Sequence, residues 1–348
     1  MVDSDLSILH VTNRFFGGVK TAISHLTDAD FKDQHYLLDL SPGQADLNSK
    51  AILQATVRCR SKNPFSIRQA IKKACKDWNI DVIHAHSTWA GVYSRVFCFG
   101  VPVVYQPHGL SFSNPAKGKL PRLIYLFVER LLARRSDAAI AVGKYEYKTI
   151  IQNLPVRKVE IIRNWSSHEV KPWKNIKPES NVVIGSVGRL CTEKDPLFFL
   201  KLATKLNALS SNYSFVWLGA GENNLEQALI SGGIRVTGWI DPKAVEDQME
   251  KLDIYVSTSI SEAMPFAFLD SVSTGIPTFL RQIPAFSEEG LPTFYSEDEL
   301  ASAIHGFVNG KMNGAYLESF DEHRNRFIGL KEIERYRSFL LSLTRNKS

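Results

Sequence analysis

The chain has 348 residues, 44% hydrophobic and 22% charged, which suits two domains of roughly 100–200 residues. This composition excludes a disordered, fibrous or collagen-like chain. A membrane-spanning helix needs about 18–20 unbroken apolar residues. Arg95 interrupts the apolar run at 90–105 and Glu129 the run at 123–132, so no span is expected. The acidic start is unlike the basic opening of a signal peptide, and a cytoplasmic protein is expected. Cys59, Cys75, Cys98 and Cys191 have no metal-ligand or redox spacing. They read as unpaired small hydrophobes of a reducing compartment.

The net charge of +6 is uneven: residues 1–170 hold 23 Lys/Arg against 14 Asp/Glu, residues 171–348 hold 19 against 22. A basic first half suggests an acidic partner, whether membrane surface, phosphorylated acceptor or nucleic acid; solvated basic faces are the plain alternative. The residues concerned are Arg58, Arg60, Lys62, Arg68, Lys72, Lys73 and Lys76, with Lys117, Lys119, Arg122, Arg130, Arg134 and Arg135. Aromatic residues do not interleave with them and no nucleic-acid module is recognisable, so nucleic acid is not expected as a partner.

Strand-like and helix-like segments alternate along the chain. Residues 6–11 form an apolar run, Gly17-Gly18 a turn, and 19–26 a helical stretch. Strands are expected at 35–40, 57–60, 81–85, 102–106, 138–142 and 159–162. Helices are expected at 66–78, 89–99, 120–135 and near 146–152. Residues 168–181, with Pro172 and Pro178 and no periodicity, read as an interdomain linker. The pattern then restarts: strands at 182–187, 213–218, 234–237, 254–257 and 278–280, with helices at 196–206, 225–230, 244–252 and 266–273. A last helix at 330–343 gathers Leu330, Ile333, Tyr336, Leu340 and Leu343 on one face. The alternation predicts two doubly wound α/β units in series, each a parallel sheet covered on both faces. The divisions expected are 1–170, 171–329 and a C-terminal helix at 330–348 that packs back towards the first domain. Ligands of such sheets bind beyond the carboxyl ends of the strands, so a site is expected in the cleft between the units.

Four groups stand just after predicted strands. Gly17 and Gly18 open a helix, where glycine admits a ligand close to the backbone and free N–H groups meet an anion. His108 and Gly109 follow the strand ending at Gln106. Arg189, after Gly188, and Lys194 follow the strand ending at Val187; two cations suit a diphosphate, a salt bridge to Glu193 or Asp195 being the alternative. Glu262 lies in a polar loop and Asp270 eight positions on, about two turns along a helix starting near Pro265. Paired carboxylates accept hydrogen bonds from several hydroxyls, as on a sugar or ribose. Asp3-Ser-Asp5 and Asp28-Ala-Asp30 resemble a DxD metal motif only superficially, because neither follows a strand end.

These residues resemble the retaining, metal-independent GT-B glycosyltransferases of family 4. The family's second domain carries Glu-x7-Glu, matched by Glu262 and Asp270, and Gly-Arg-Leu followed by Lys, matched by Gly188-Arg189-Leu190 and Lys194. Leu218-Gly-Ala-Gly-Glu222 looks like its glycine turn, and Val236-Thr-Gly-Trp239 like the segment lining the nucleotide base. Asp81-Val-Ile-His-Ala-His86, Gln106-Pro-His-Gly109 and Ile162-Arg-Asn164 are similar to its first-domain signatures. Two departures stand out: Asp270 replaces the second glutamate, and Ala263 the glycine after the first.

The resemblance implies a GT-B fold and transfer of a sugar from a UDP- or GDP-linked donor to a glycan or lipid-linked acceptor in surface polysaccharide assembly. Arg189 and Lys194 would hold the diphosphate and Glu262 the transferred sugar's hydroxyls. Asp270 would bind the ribose, and the N–H groups near Phe266 and Ala267 the diphosphate. Gly17, Gly18, Gly219 and Trp239 would line the donor site, and His108 would contact the donor sugar or orient the reacting groups. No metal is expected, the leaving phosphate taking the acceptor's proton. The basic first domain would meet an anionic membrane at its cytoplasmic face. A non-catalytic carbohydrate or sugar-nucleotide binder and a sugar-nucleotide epimerase of the same architecture are the alternatives.

Overall fold

The structure, a computed structural model, describes residues 5–28, 33–41, 53–61, 63–177, 181–311, 314–324 and 329–344. Lys62, Asp3 and Asp30 of the groups above lie outside the described residues. The chain divides into one unit of residues 1–164 with 329–348 and a second of residues 165–328.

The first unit runs β1 (Ser7–Thr12), α1 (Gly17–Thr27), β2 (Gln34–Asp39), β3 (Ala55–Arg58), α2 (Pro64–Asp77), β4 (Val82–His86), α3 (Thr88–Val96), β5 (Val103–Gln106), α4 (Lys119–Ala133), β6 (Ala138–Ala141), α5 (Lys144–Asn153) and β7 (Val159–Ile161). The strands form one sheet in the order β3-β2-β1-β4-β5-β6-β7, and its pairings are parallel. Strand order reverses between β1 and β4. The central strands are buried along nearly their whole length, which is why their sequences read as continuous apolar runs. Local signals fix the helix starts: the Asn63 side chain accepts from Phe65 N at 2.9 Å, with Pro64 in the first turn of α2. Leu9, Val11, Ile67, Ile71 and Ile83 form the core on one side of the sheet, each such burial stabilising by about 1.5–3 kcal/mol.

The second unit runs β8 (Val182–Val187), α6 (Pro196–Leu209), β9 (Tyr213–Leu218), α7 (Asn223–Ser231), β10 (Arg235–Val236), α8 (Pro242–Met249), β11 (Ile254–Ser257), α9 (Phe266–Ser273), β12 (Thr278–Leu280), α10 (Pro284–Ser287), α11 (Glu297–Val308) and α12 (Ala315–Arg324). Its sheet order is β10-β9-β8-β11-β12, again parallel, with the reversal between β8 and β11. The sequence pattern alone does not reveal α10, α11 and α12. Helix α11 nevertheless has a clear start, Ser296 accepting from Glu299 N at 3.2 Å, and it buries Leu300 and Ile304 in the unit's core.

Residues 168–177 are no free linker. Lys171 N donates to Ser273 O at 2.8 Å and Lys174 N to Gly275 O at 2.7 Å. The Pro172 carbonyl lies where a Cβ on Gly275 would stand, and Trp173 Nε1 donates to Asp321 at 3.0 Å. The segment is a strap on the second unit, which therefore begins at Trp165 rather than 171. Helix α13 (Gly329–Thr344) returns to the first unit. Arg163 N donates to Glu332 at 3.0 Å, Arg337 Nε to Asp33 at 3.0 Å, and the Tyr336 hydroxyl meets His84 Nδ1 at 2.8 Å. Ile333, Tyr336 and Leu340 are buried.

Candidate active site

In the second unit, two glycine turns are zipped together at the carboxyl edge of the sheet. Gly188 has φ 147° and Gly219 φ 141°. A Cβ on Gly219 would stand 2.1 Å from the Gly188 carbonyl oxygen, and one on Gly221 2.1 Å from that of Leu190. Only glycine permits this approach. Gly188 N donates to Leu218 O at 3.0 Å, Leu190 N to Ala220 O at 2.9 Å, and Trp217 Nε1 to Gly188 O at 2.8 Å. Arg189 sits on the first turn, exposed.

Lys194 ends a short 3-10 turn, Thr192–Lys194. Its Nζ meets Glu262 Oε1 at 2.5 Å, and the Ser259 hydroxyl donates to the same oxygen at 2.7 Å. Thr258 Oγ1 donates to the Lys194 carbonyl at 2.7 Å, and Ile260 N to Glu193 O at 2.9 Å. The loop after β8 is thereby fastened to the loop after β11, at the point where strand order reverses. Lys194 is thus ion-paired with Glu262. Asp195 caps α6 through Phe198 N and is ion-paired with Arg281 at 2.6 Å.

Helix α9 starts at Phe266, after Pro265 and with no side chain capping it. The N–H groups of its first turn, at Phe266 and Ala267, face the end that attracts anions. Glu262 lies four residues before the helix, so Asp270 is little more than one turn along it rather than two. Residues 258–265 form the irregular loop expected before this helix, and a start near Pro265 puts Asp270 only about one and a half turns along at 3.6 residues per turn. Asp270 Oδ1 accepts from the Ser166 hydroxyl at 2.6 Å. Burial pushes its carboxyl above the ordinary range, against the Ser166 hydrogen bond and the His168 charge. His168, Lys243, Glu246, Met249 and Asp270 line a recess there. Buried Tyr255 on β11 is held above its ordinary pKa chiefly by burial, with the charge of Glu262 adding to it. Trp239, after Gly238, is exposed.

In the first unit, Gly17 and Gly18 open α1; Gly17 has φ 56°, with nothing within 4 Å of where a Cβ would stand. His108 and Gly109 follow β5 with φ of 54° and 104°, and Ser87 follows β4 with φ 68°. Positive φ at non-glycine residues is strained and collects at functional sites. Ser87 is braced by its hydroxyl, which donates to Asn13 Oδ1 at 2.7 Å. The His108 turn is braced by Glu146, whose carboxylate accepts from Gly109 N at 2.7 Å and Val142 N at 2.9 Å. Burial pushes the Glu146 carboxyl up to about 7, against those two hydrogen bonds.

His108 is the outer member of a histidine chain. Its Nε2 pairs with His86 Nδ1 at 3.0 Å, His86 Nε2 with His10 Nδ1 at 2.9 Å, and His10 Nε2 with His35 Nδ1 at 3.0 Å. Burial lowers His35 and His108 to about 4 and His84 to about 3, and holds His10 and His86 well below the usual value. The imidazoles are therefore neutral, and the contact with His86 engages Nε2 of His108. His10, His84 and His86 each offer one ring nitrogen within 4.8 Å of the others, a set that could hold a metal ion. Here those rings are engaged with one another, His35, His108 and Tyr336, except His84 Nε2, which has no partner among the described residues.

Sequence reasoning singled out Lys194, Glu262, Asp270 and His108 but not their braces Ser259, Ser166 and Glu146, nor His10 and His35. A faint signal existed for His10 and His35: histidine inside otherwise apolar strands. Glu146 stood three residues after Gly143 in a helix's first turn. Ser166 had none, because its partner is 104 positions away.

Residues 17–169 match Glycosyltransferase Family 4 and residues 167–289 match Glycosyl transferases group 1. An uncharacterized 41.2 kDa protein in the cps region of Klebsiella pneumoniae is 24% identical, over 81% of this chain and 83% of that one. The Escherichia coli UDP-Gal:alpha-D-GlcNAc-diphosphoundecaprenol alpha-1,3-galactosyltransferase is 28% identical, over 62% of this chain and 61% of that one. Among solved structures, Anabaena HepE in complex with UDP and glucose superposes with a TM-score of 0.77 at 14% identity, over 97% of this chain and 100% of that one. With two doubly wound units of the GT-B kind and both family matches in chain order, the chain belongs to the family 4, group 1 glycosyltransferases and is a glycosyltransferase enzyme.

Proposed function

We propose that the enzyme transfers a sugar from a nucleoside diphosphate donor, with retention of configuration, to a glycan or lipid-linked acceptor in bacterial surface polysaccharide assembly. The observation that carries this reading is the Lys194–Glu262 pair, which sets a cation and a carboxylate side by side at the strand-order reversal of the second unit. Breaking the glycosidic C–O bond builds charge on the departing diphosphate. Lys194, Arg189 and the first turn of α9 meet that charge, and each such preorganised donor is typically worth a few kcal/mol. Glu262 accepts hydroxyls of the transferred sugar, and Asp270 those of the ribose. With two cations on the diphosphate, the reaction needs no metal there. The departing phosphate takes the acceptor's proton, and neutral His108 serves as a hydrogen-bonding group rather than a charged acid.

The relatives support the finer terms. The Escherichia coli enzyme's name specifies a UDP-sugar and a diphosphate-linked lipid, and the Klebsiella protein comes from a cps region. No helix among the described residues is long and apolar enough to cross a membrane. A lipid-linked acceptor would be met at the cytoplasmic membrane face, where the basic first unit attracts anionic lipid.

The test is thermal shift with UDP-, GDP- and ADP-sugars, then turnover of the stabilising donor with a diphosphate-linked lipid acceptor. A donor at 100 times its Kd stabilises by about 2.7 kcal/mol. Product formation with the donor's anomeric configuration is expected. Stabilisation without turnover would leave a sugar-nucleotide binder, and no stabilisation by any donor would end the reading.

A further inference from the structure

Helix α4 carries apolar side chains on two opposed sides. Its inner side buries Glu129, Leu132 and Ala133, with Tyr125 and Leu126 against the core that includes Leu110, Phe112 and Ile150. Its outer side carries Leu120, Leu123, Ile124, Phe127 and Leu131, each more than half exposed. At ~100° per residue these five fall within an arc of about 100°, the width of a face that ordinarily packs on something. Isolated exposed apolar residues need no explanation, but a contiguous stripe marks an interaction surface.

The exposed charges along the chain at the ends of the stripe are of one sign. Lys117 and Lys119 stand at its start, and Arg130, Arg134 and Arg135 at its end. The only acid between 117 and 135 is Glu129, which is buried against Arg95 at 2.9 Å and accepts from the Tyr105 hydroxyl at 2.8 Å. Arg130 Nε donates to Asn153 O at 3.0 Å and Arg135 Nη1 to Val96 O at 2.5 Å, holding those side chains against the protein surface. Two copies meeting stripe to stripe would press these cations together. An anionic bilayer offers the opposite charge at its headgroups and an apolar layer beneath, which is how an interfacial amphipathic helix binds.

We infer that α4 inserts its outer face into the boundary between headgroups and acyl chains of an anionic membrane. The contact is more than the charge attraction of a basic domain, because the stripe itself leaves water. This rests on the lipid-linked acceptor reading: the helix holds the first unit at the surface where such an acceptor lies.

The experiment is co-sedimentation with vesicles of phosphatidylglycerol and phosphatidylcholine, against vesicles of phosphatidylcholine alone. The parent is expected to bind the anionic vesicles and to keep part of that binding in about 0.5 M salt, where the Debye length is only a few ångströms. Leu123→Ser with Phe127→Ser is expected to weaken binding at least tenfold with an unchanged melting temperature, since both side chains are exposed. The pair should also turn over a short-chain, water-soluble acceptor at the parent's rate, separating docking from catalysis. Binding that disappears in salt and ignores the serine pair would overturn insertion and leave a purely electrostatic contact. A parent dimer in solution that the pair converts to monomer would also overturn it, assigning the stripe to self-association. If the parent binds vesicles but turns over no acceptor, docking stands and the enzymatic reading fails.

Discussion

Arg95 and Glu129, the two charges that interrupt the chain's longest apolar runs, meet each other in the core of the first unit. Arg95 Nη2 lies 2.9 Å from Glu129 Oε2, and both side chains are almost wholly buried. The Tyr105 hydroxyl donates to the other carboxylate oxygen at 2.8 Å, and the guanidinium lies 3.8 Å from the Tyr105 ring centre. Gly91 makes room for it: a Cβ there would stand 2.4 Å from the Tyr105 ring. Glu129→Ala would leave the guanidinium buried without its counter-charge, a loss typically of about 3–5 kcal/mol. Urea unfolding should show it as a lower midpoint at an unchanged slope. A change under about 1 kcal/mol would mean that the pair is solvated.

Those two residues also show what a sequence can and cannot disclose. Their effect on hydropathy was readable at once, and no helix among the described residues is long and apolar enough to cross a membrane; their partnership was not readable, because 34 positions separate them. The same division holds elsewhere. Strands such as β4 and β8 were legible because strands buried on both faces write continuous apolar runs. Lys194, Glu262 and His108 could be singled out as candidates because a parallel sheet binds its ligands beyond the strand ends. Residues 168–177 were misread as a linker, since proline and polar residues look alike in a free tether and in a strap hydrogen-bonded through its backbone. Ser166 and Glu146 act through tertiary contacts that no local pattern announces.

The buried histidines set an acid limit on stability. His35 and His108 have folded values of about 4 and His84 of about 3, against roughly 6.5 in an unfolded chain. As pH falls below 6.5, the unfolded chain binds protons that the folded chain refuses, so stability declines with each step down. Each such group costs about 1.4 kcal/mol per pH unit within its window. Glu146, raised to about 7, and Asp270, also raised by burial, work in the opposite sense, because the folded chain takes their protons first as pH falls. Five lowered histidines outweigh the two carboxyls. The melting temperature should therefore fall steadily from pH 6.5 towards 4, and a flat profile would mean the chain takes up protons without unfolding.

Turnover should survive chelation. In the proposed reading Arg189 and Lys194 supply the positive charge that the donor diphosphate requires, and Lys194 is held at the loop by Glu262. Initial rates in EDTA are expected to equal those in buffer, with no stimulation by magnesium or manganese. Loss of rate in chelator, restored by either ion, would place a metal on the diphosphate and remove Arg189 and Lys194 from that role.

Glu262 and Asp270 should fail in different ways. Glu262 sits in the loop, its Oε1 shared between Lys194 and Ser259, and its proposed contact is with the transferred sugar. Glu262→Gln keeps the size, removes the charge and releases the Lys194 ion pair. It should lower turnover while leaving nucleoside diphosphate binding close to the parent's, since Lys194 remains beside the diphosphate. Asp270 lies one turn into α9 and faces the ribose in the proposed reading. Asp270→Asn should weaken donor and nucleoside diphosphate alike, by about 1.5–3 kcal/mol for one lost charge-assisted hydrogen bond. Asp270→Glu keeps the carboxylate and restores the residue usual in the family, so it should bind nearly as well, provided that the longer side chain clears Ser166, whose hydroxyl now lies 2.6 Å away. Calorimetric titration of nucleoside diphosphate beside initial rates separates the two effects. If Asp270→Asn binds nucleotide as tightly as the parent and Glu262→Gln keeps its rate, neither carboxylate touches the donor, and family membership would describe this fold without describing its site.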